Sequence, residues 1–183
     1  TTMSTTHSPG INRRRFLTQT GLAVTAVQLL PASLSGAARR PSANDRVNVA
    51  GIGIGGQGGG DVAAVAAEGH NIVAVCDVDQ KYAAKNIAKY PNAKQFKDYR
   101  VMLDRMDGEI DAVVIGTPDH THAVIAMEAM RRRKHVYCEK PLAHSVQEVR
   151  RLRDAARRFR VVTQLGNQGH SSGSIRQCCE WIW

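Results

Sequence analysis

Residues 53–58 read Gly-Ile-Gly-Gly-Gln-Gly, which has the spacing G-x-G-x-x-G. The mostly apolar residues 47–52 precede them and predict a buried strand, and the Ala-rich residues 61–68 predict a helix. Glycines between a strand and a helix N-terminus let backbone N–H groups approach a pyrophosphate. We therefore predict that the turn binds a dinucleotide through Gly53, Ile54, Gly55, Gly56 and Gly58.

An acidic residue follows the next predicted strand at the distance that this motif requires. Residues 71–76 are apolar and end at Asp77, whose carboxylate can accept hydrogen bonds from ribose hydroxyls. A carboxylate would repel a 2′-phosphate, and no Arg immediately follows it, so we expect NAD rather than NADP. The alternative is a plain turn with a solvated aspartate. Asp79 is expected to cap the next helix.

A second polar group follows the predicted strand at residues 111–115. Thr117 and Pro118 end that strand, where a nicotinamide ribose is expected, and Asp119 or Thr121 can cap the helix at residues 121–132. His120 and His122 have a spacing that can chelate a metal, which makes a metal hydrolase the alternative. No third ligand lies nearby in the sequence, so we expect no metal and predict that both histidines line the cofactor cleft.

Acid–base chemistry is expected from Lys140, which follows the predicted strand at residues 134–138. Its ammonium can hydrogen-bond a substrate oxygen that gains or loses a proton, although Glu139 and Lys140 can also be ordinary surface residues. We predict a cis bond between Lys140 and Pro141. After the strand at residues 161–165, Asn167 and Gln168 either contact cofactor or substrate or only form a turn.

These residues must be positioned by a sheet, because they follow predicted strands at similar spacing. About six strands alternate with helices, which predicts an α/β protein with a Rossmann-type, doubly wound parallel sheet. The clearest helix, residues 146–159, has an apolar face opposite its arginines, and Ser145 is its expected cap. The predicted dinucleotide-binding domain is residues 44–166.

Composition excludes several other classes of protein. The net charge is +9, but aromatic residues make up only 5% of the chain and are not interleaved with the arginines, so we expect no nucleic-acid partner. The four cysteines have neither metal-ligand nor C-x-x-C spacing. Cys76 and Cys138 are interpreted as small core residues, and His135 and His144 as structural.

Residues 1–43 are predicted to be a signal peptide and linker. Arg13-Arg14-Arg15-Phe16-Leu17 precedes a short apolar run and small residues, and the segment is too short and too polar for stable membrane insertion. The arginines resemble a twin-arginine export signal, with cleavage expected after Ala37 and a periplasmic or otherwise exported product. An uncleaved basic arm is the alternative.

The motif order GxGxxG, CDVD, TPDHTH, EKP and QLGNQGH resembles the Gfo/Idh/MocA oxidoreductase family from residue 47 onward. The resemblance implies an NAD(P)-binding Rossmann domain followed by a substrate domain, acting on sugars, inositols or related polyols. It also implies that Lys140 is catalytic and that Glu139 touches the nicotinamide end of the cofactor.

The same resemblance predicts that residues 167–183 begin a truncated substrate domain, so we expect this chain alone to bind NAD without turnover. The full-length protein is expected to be a homo-oligomer. Two alternatives remain open, which are a non-catalytic NAD-binding module and an NAD-dependent glycoside hydrolase.

Overall fold

A computed structural model describes residues 46–183, and these form one six-stranded parallel sheet with helices on both faces. The strand order is β3-β2-β1-β4-β5-β6, so the chain winds outward from β1 in both directions. The predicted fold class is confirmed. The strands are β1 Asn48–Ile52, β2 Asn71–Cys76, β3 Lys94–Phe96, β4 Ala112–Ile115, β5 His135–Glu139 and β6 Thr163–Gly166.

Six α-helices and one 3-10 helix connect or follow these strands. None of the helices in residues 46–183 combines the length and the apolar composition that crossing a bilayer requires. The helices are α1 Gln57–Ala67, α2 Gln80–Ile87, α3 Tyr99–Arg105, α4 Asp119–Arg131, α5 Val146–Phe159, the 3-10 helix Gln168–Ser171 and α6 Gly173–Ile182.

Two hydrophobic cores lie on opposite faces of the sheet. Successive residues of a strand point to opposite faces, so Val113 and Ile115 of β4 enter one core and Val114 enters the other. Helices α3, α4 and α5 cover the first face with Leu103, Ala126 and other apolar side chains, whereas α1 and α2 cover the second. This two-sided burial explains the near-continuous apolar runs in the sequence.

Two helices, α1 and α4, begin earlier in the sequence than predicted. Helix α1 begins at Gln57 rather than at residue 61, so the last glycines of the motif form its first turn. Helix α4 begins at Asp119, and its N-cap is Pro118 without any side-chain cap. The prediction that Asp119 or Thr121 caps this helix is therefore wrong. The hydroxyl of Thr121 instead lies 2.7 Å from the carbonyl oxygen of Pro118.

The edge strand β6 also begins later than predicted, at Thr163 rather than at residue 161. The carbonyl oxygen of Val162 accepts from the N–H of Val136 on β5, but its own N–H donates to the side-chain Nδ1 of His135 at 2.9 Å instead of to a backbone carbonyl. This contact gives His135 the structural role that was predicted for it. Strand β5 runs from His135 to Glu139, so it begins and ends one residue later than predicted.

The helix caps predicted at Asp79 and Ser145 are confirmed. Asp79 accepts from the N–H groups of Lys81 and Tyr82. Asp98 caps α3 in the same way and accepts from the N–H of Arg100. Ser145 forms a capping box, in which its hydroxyl and the carboxylate of the third helical residue each satisfy a backbone N–H group. The predicted cis bond between Lys140 and Pro141 is also present.

The four cysteines fall into two classes. Cys76 and Cys138 are buried in the first core, as predicted, and burial raises the pKa of each thiol to about 12. Cys178 and Cys179 on α6 are exposed. The buried thiols are therefore packing groups without the thiolate character that reactivity needs.

The turn after β1 brings three backbone segments into direct contact. Gly53 has a φ of +78°, which favours glycine. A Cβ atom on Gly58 would overlap the carbonyl oxygen of Gly53 and would lie 3.0 Å from the Cα of Gly116. No side chain fits at Gly58, and the start of α1 is thereby seated on the ends of β1 and β4.

We expect Gly58→Ala to lower the free energy of unfolding by about 1–3 kcal/mol, because the added methyl meets backbone that cannot rotate away. Gly60→Ala is the matched control in the same helix, since nothing lies within 4 Å of its Cβ position. Removing that glycine should stabilise the helix by about 0.5–1 kcal/mol. Urea denaturation followed by circular dichroism measures both. Equal effects of the two variants would contradict the packing role of Gly58.

Candidate functional site

The carboxyl ends of the strands form two adjoining clefts that share Gly116 and Thr117. The β2-side cleft has a volume of about 530 Å³ and lies between the ends of β1, β2 and β4. The β5-side cleft has a volume of about 620 Å³ and lies beside the ends of β4, β5 and β6. The two clefts lie on either side of the glycine turn. This is the arrangement expected for a dinucleotide, whose two nucleotides bind on opposite sides of such a turn.

Asp77 lies in the β2-side cleft and is fixed by backbone N–H groups. Its Oδ2 accepts from the N–H of Gly55 at 2.8 Å, and its Oδ1 accepts from the N–H of Asp79 at 2.9 Å. A carboxylate oxygen has two lone pairs, so each oxygen can still accept from one further donor. Asp77 can therefore still accept hydrogen bonds from the hydroxyls of a ribose, and its ribose-binding role stays a prediction.

The ring of Tyr82 packs closely against the glycine turn at Gly55. A Cβ on Gly55 would overlap the ring of Tyr82 and would lie 3.2 Å from Oδ2 of Asp77. The N–H of Gly55 points to Asp77, so the phosphate contacts predicted for the turn must come from other N–H groups. Ile54 as a whole is 1% exposed, and its carbonyl oxygen accepts from Nδ2 of Asn86 at 2.7 Å, so the structure does not bring this predicted residue to the surface of either cleft.

The N-terminus of α1 provides those other donors. Gly56 is the N-cap, and no side chain caps the helix. Within residues 46–183, the N–H groups of Gly56, Gln57 and Gly58 have no protein acceptor. Free N–H groups at the positive end of a helix dipole bind anions well. The turn, its uncapped helix and the carboxylate of Asp77 fit the pyrophosphate and ribose of a dinucleotide.

The segment after β4 separates the two clefts. Thr117 lies in both clefts, whereas Pro118 and the exposed His120 line the β2-side cleft. The hydroxyl of Thr121 lies 2.8 Å from Oγ1 of Thr117, which orients the threonine at the strand end. The structure thus brings the predicted residues Thr117, Pro118 and His120 to the same edge as the glycine turn.

His122 has a different environment from His120. It is 1% exposed, and its Nδ1 and Nε2 lie 2.7 Å from the carbonyl oxygens of Pro141 and Thr117, respectively. Both polar atoms of the ring are therefore engaged with the main chain, so only its carbon atoms remain for the predicted cofactor contact. Within residues 46–183, no group of three or more His, Cys, Asp or Glu side chains is arranged to hold a metal ion.

Glu139 and Lys140 lie together in the β5-side cleft but differ in exposure. Glu139 is 4% exposed and accepts from the N–H of Lys140 at 3.2 Å, from Nε2 of Gln168 at 3.0 Å and from the hydroxyl of Tyr137 at 3.3 Å. The side chain of Lys140 is exposed and lines the cleft. A fixed carboxylate thus lies next to a lysine that can reach a ligand.

The two residues after β6 line the same cleft. Gln168 begins the 3-10 helix and bonds Glu139, and Asn167 precedes it. Both therefore border the predicted site. Burial raises the pKa of Tyr137 to about 12, with the negative charges of Asp61 and Glu139 adding to the shift. Tyr137 is therefore a hydroxyl donor throughout the physiological pH range.

Sequence reasoning missed several residues that border the clefts. Lys97 and Tyr99 line the β2-side cleft, and Gln57 lines the β5-side cleft. The Nε2 of Gln57 donates to Oδ1 of Asp61 at 3.0 Å, a helical i, i+4 pair directly after the glycine turn. That spacing was a signal in the sequence. No local signal marks Lys97, which directly follows strand β3 and lines the cleft from there.

Comparisons with known proteins agree with this geometry. The model of the Gfo/Idh/MocA oxidoreductase family, NAD-binding Rossmann fold, matches residues 46–167. A glycosyl hydrolase family 109 protein of Shewanella pealeana is 32% identical over 174 residues, which is 81% of this chain and 37% of that protein. An inositol 2-dehydrogenase of Rubrobacter xylanophilus is 36% identical over 114 residues, which is 61% of this chain and 32% of that protein.

Solved structures show the same fold. GenD2 of gentamicin A biosynthesis, in complex with NAD, superposes with a TM-score of 0.67 at 26% identity, over 74% of this chain and 38% of that one. This chain thus spans about a third of the length of the relatives it matches. From the family model, the motifs and the sheet together, the chain belongs to the Gfo/Idh/MocA oxidoreductase family, and residues 46–167 are its NAD-binding Rossmann fold.

Proposed function

We propose that this chain is the nucleotide-binding part of an NAD-dependent oxidoreductase that acts on a sugar, an inositol or a related polyol. The observation that carries the proposal is the position of Lys140, which lines a cleft adjoining the uncapped N-terminus of α1. Relatives named as inositol 2-dehydrogenases support the substrate class. The chain spans about a third of such relatives, so the activity belongs to the proposal.

The chain's own residues divide the work of binding and proton transfer. When bound, NAD supplies the acceptor or donor of a hydride. The N–H groups of Gly56, Gln57 and Gly58 hold the phosphates, and Asp77 accepts from the ribose hydroxyls. Lys140 hydrogen-bonds the substrate oxygen and takes or gives its proton.

A second candidate function is NAD-dependent glycoside hydrolysis. The match to the family 109 protein covers 81% of this chain, whereas the match to the inositol 2-dehydrogenase covers 61%. Both candidates use the same NAD-binding residues. They differ in product, because the first forms NADH or consumes it in net turnover and the second releases a sugar from a glycoside.

Asp77→Ala should weaken NAD binding by about 10- to 100-fold, because hydrogen bonds to a charged group are lost. It should also reduce the ratio of the affinities for NAD and NADP, because the variant lacks the carboxylate that repels the 2′-phosphate of NADP. Titration calorimetry with both nucleotides measures these affinities. Asp154→Ala, on the exposed side of α5, is the control and should leave them unchanged. Equal affinities of the unaltered chain for NAD and NADP would contradict the role of Asp77.

Lys140→Ala should reduce turnover by about 10²- to 10⁴-fold through loss of the acid–base group, while NAD affinity is retained. The measurement follows NADH with a panel of inositols and sugars, and sugar release from glycosides in parallel, in the protein as its gene encodes it. The control is Lys85→Ala on α2, an exposed lysine away from the β5-side cleft. Undiminished turnover would remove Lys140 from the mechanism. NAD binding without either reaction would indicate a non-catalytic module.

We also propose that residues 1–43 direct export by the twin-arginine route and that the mature protein is a homo-oligomer. Arg13, Arg14 and the following Phe-Leu support the signal, and these residues lie outside the described part of the chain. Native mass spectrometry of the exported fraction from the protein's own source should show subunits that begin at Ala38, in multiples of the subunit mass. An intact N-terminus would contradict the signal, and a single-subunit mass would contradict the oligomer.

A further inference from the structure

Tyr82 lies against the glycine turn from the first turn of α2. The N–H of Tyr82 donates to Oδ1 of Asp79 at 3.0 Å, and the N–H of Asp79 donates to Oδ1 of Asp77 at 2.9 Å. The start of α2 is therefore fixed relative to the carboxylate of Asp77. Tyr82 lines the β2-side cleft together with Asp77, Gly55 and Gly56.

A second contact, one helical turn later, holds α2 on the glycine turn. Nδ2 of Asn86 donates to the carbonyl oxygen of Ile54 at 2.7 Å. Nζ of Lys89 donates to Oδ1 of Asn86 at 2.9 Å, which orients the amide. Residues four apart on a helix lie on the same face, so Tyr82 and Asn86 both face the turn. The position of the Tyr82 side chain is therefore set by the docking of its helix.

The aromatic ring of Tyr82 lies across Gly55, and its hydroxyl lies beside Gly56. A Cβ on Gly55 would overlap the ring, whereas a Cβ on Gly56 would lie 3.5 Å from the hydroxyl oxygen. Gly56 is the N-cap of α1, and its N–H has no protein acceptor within residues 46–183. The hydroxyl of Tyr82 is therefore next to the free backbone donors at the start of α1.

Neither core packing nor internal hydrogen bonding uses the end of this side chain. Tyr82 is 67% exposed, and in the part of the chain that the structure describes its hydrogen bonds come from the backbone, not from the hydroxyl. A tyrosine hydroxyl can donate one hydrogen bond, and hydrogen bonds to a charged acceptor are stronger than those to a neutral one. A phosphate oxygen at the start of α1 is an acceptor that this free donor suits.

We propose that Tyr82 is a further cofactor-binding residue, whose hydroxyl donates to the pyrophosphate of NAD beside the N–H of Gly56. The proposal rests on the proposed function, because that function places the phosphates at the start of α1. It adds a side-chain donor to the main-chain donors of the glycine turn. The phosphates are then bound from two helices, by the backbone of α1 and by a side chain of α2.

The test compares Tyr82→Phe with the unaltered chain by titration calorimetry with NAD, ADP and adenosine. Phe keeps the ring and removes one hydrogen-bond donor, so it should weaken the binding of NAD and of ADP about 10-fold. Adenosine has no phosphate, so its affinity should stay unchanged. Tyr90→Phe is the matched control, because it removes a tyrosine hydroxyl that lines neither cleft. It should leave all three affinities unchanged.

Several outcomes would overturn the inference. Unchanged NAD affinity of the Phe variant would show that the hydroxyl contacts no part of the cofactor. An equal loss of affinity for ADP and adenosine would place its contact at the ribose or the base instead of at the phosphates. Tighter NAD binding by Tyr82→Ala would show that the ring covers the turn and must move aside. Failure of the unaltered chain to bind NAD or ADP would instead refute the proposed function.

Discussion

The site depends on the close contact of three backbone segments at Gly53, Gly58 and Gly116. This contact seats the N-terminus of α1 directly on the ends of β1 and β4, so its unpaired N–H groups face the cleft rather than a neighbouring side chain. The anion-binding character of the site is therefore a property of main-chain position. In the proposed function, the side chains of Asp77 and Lys140 add specificity and chemistry to a surface that the backbone has already shaped.

A second constraint is the buried ring of His122, which contacts both the loop after β4 and the loop after β5. His122 lies between the carbonyl oxygens of Thr117 and Pro141, so the loop after β4 and the loop after β5 are held by one buried ring. Lys140 is adjacent to one of these anchor points and Thr117 is the other. The relative position of the two clefts thus depends on a residue whose polar atoms face away from any ligand.

Much of the fold was predictable because its signals are local. Apolar runs identified the strands, and the glycine spacing together with Asp77 located the nucleotide edge. Helix starts were less predictable, since Gly58 and Gly59 are poor helix formers that packing nevertheless draws into α1. Lys97 was missed for another reason. It borders the β2-side cleft from the end of β3, which is distant in sequence from the glycine turn, so no pattern around Lys97 indicates the site.

Both edge strands of the sheet are short, with three residues in β3 and four in β6. An edge strand presents unpaired N–H and C=O groups, and another chain can add to them as a further strand. Here each edge strand offers only a short template, while the apolar strands β1, β2 and β4 lie inside the sheet and pair with a neighbouring strand on both sides. The short edge strands therefore limit the addition of strands from a second chain. The apolar inner strands, which are the most prone to β-aggregation, are the least accessible to such a chain.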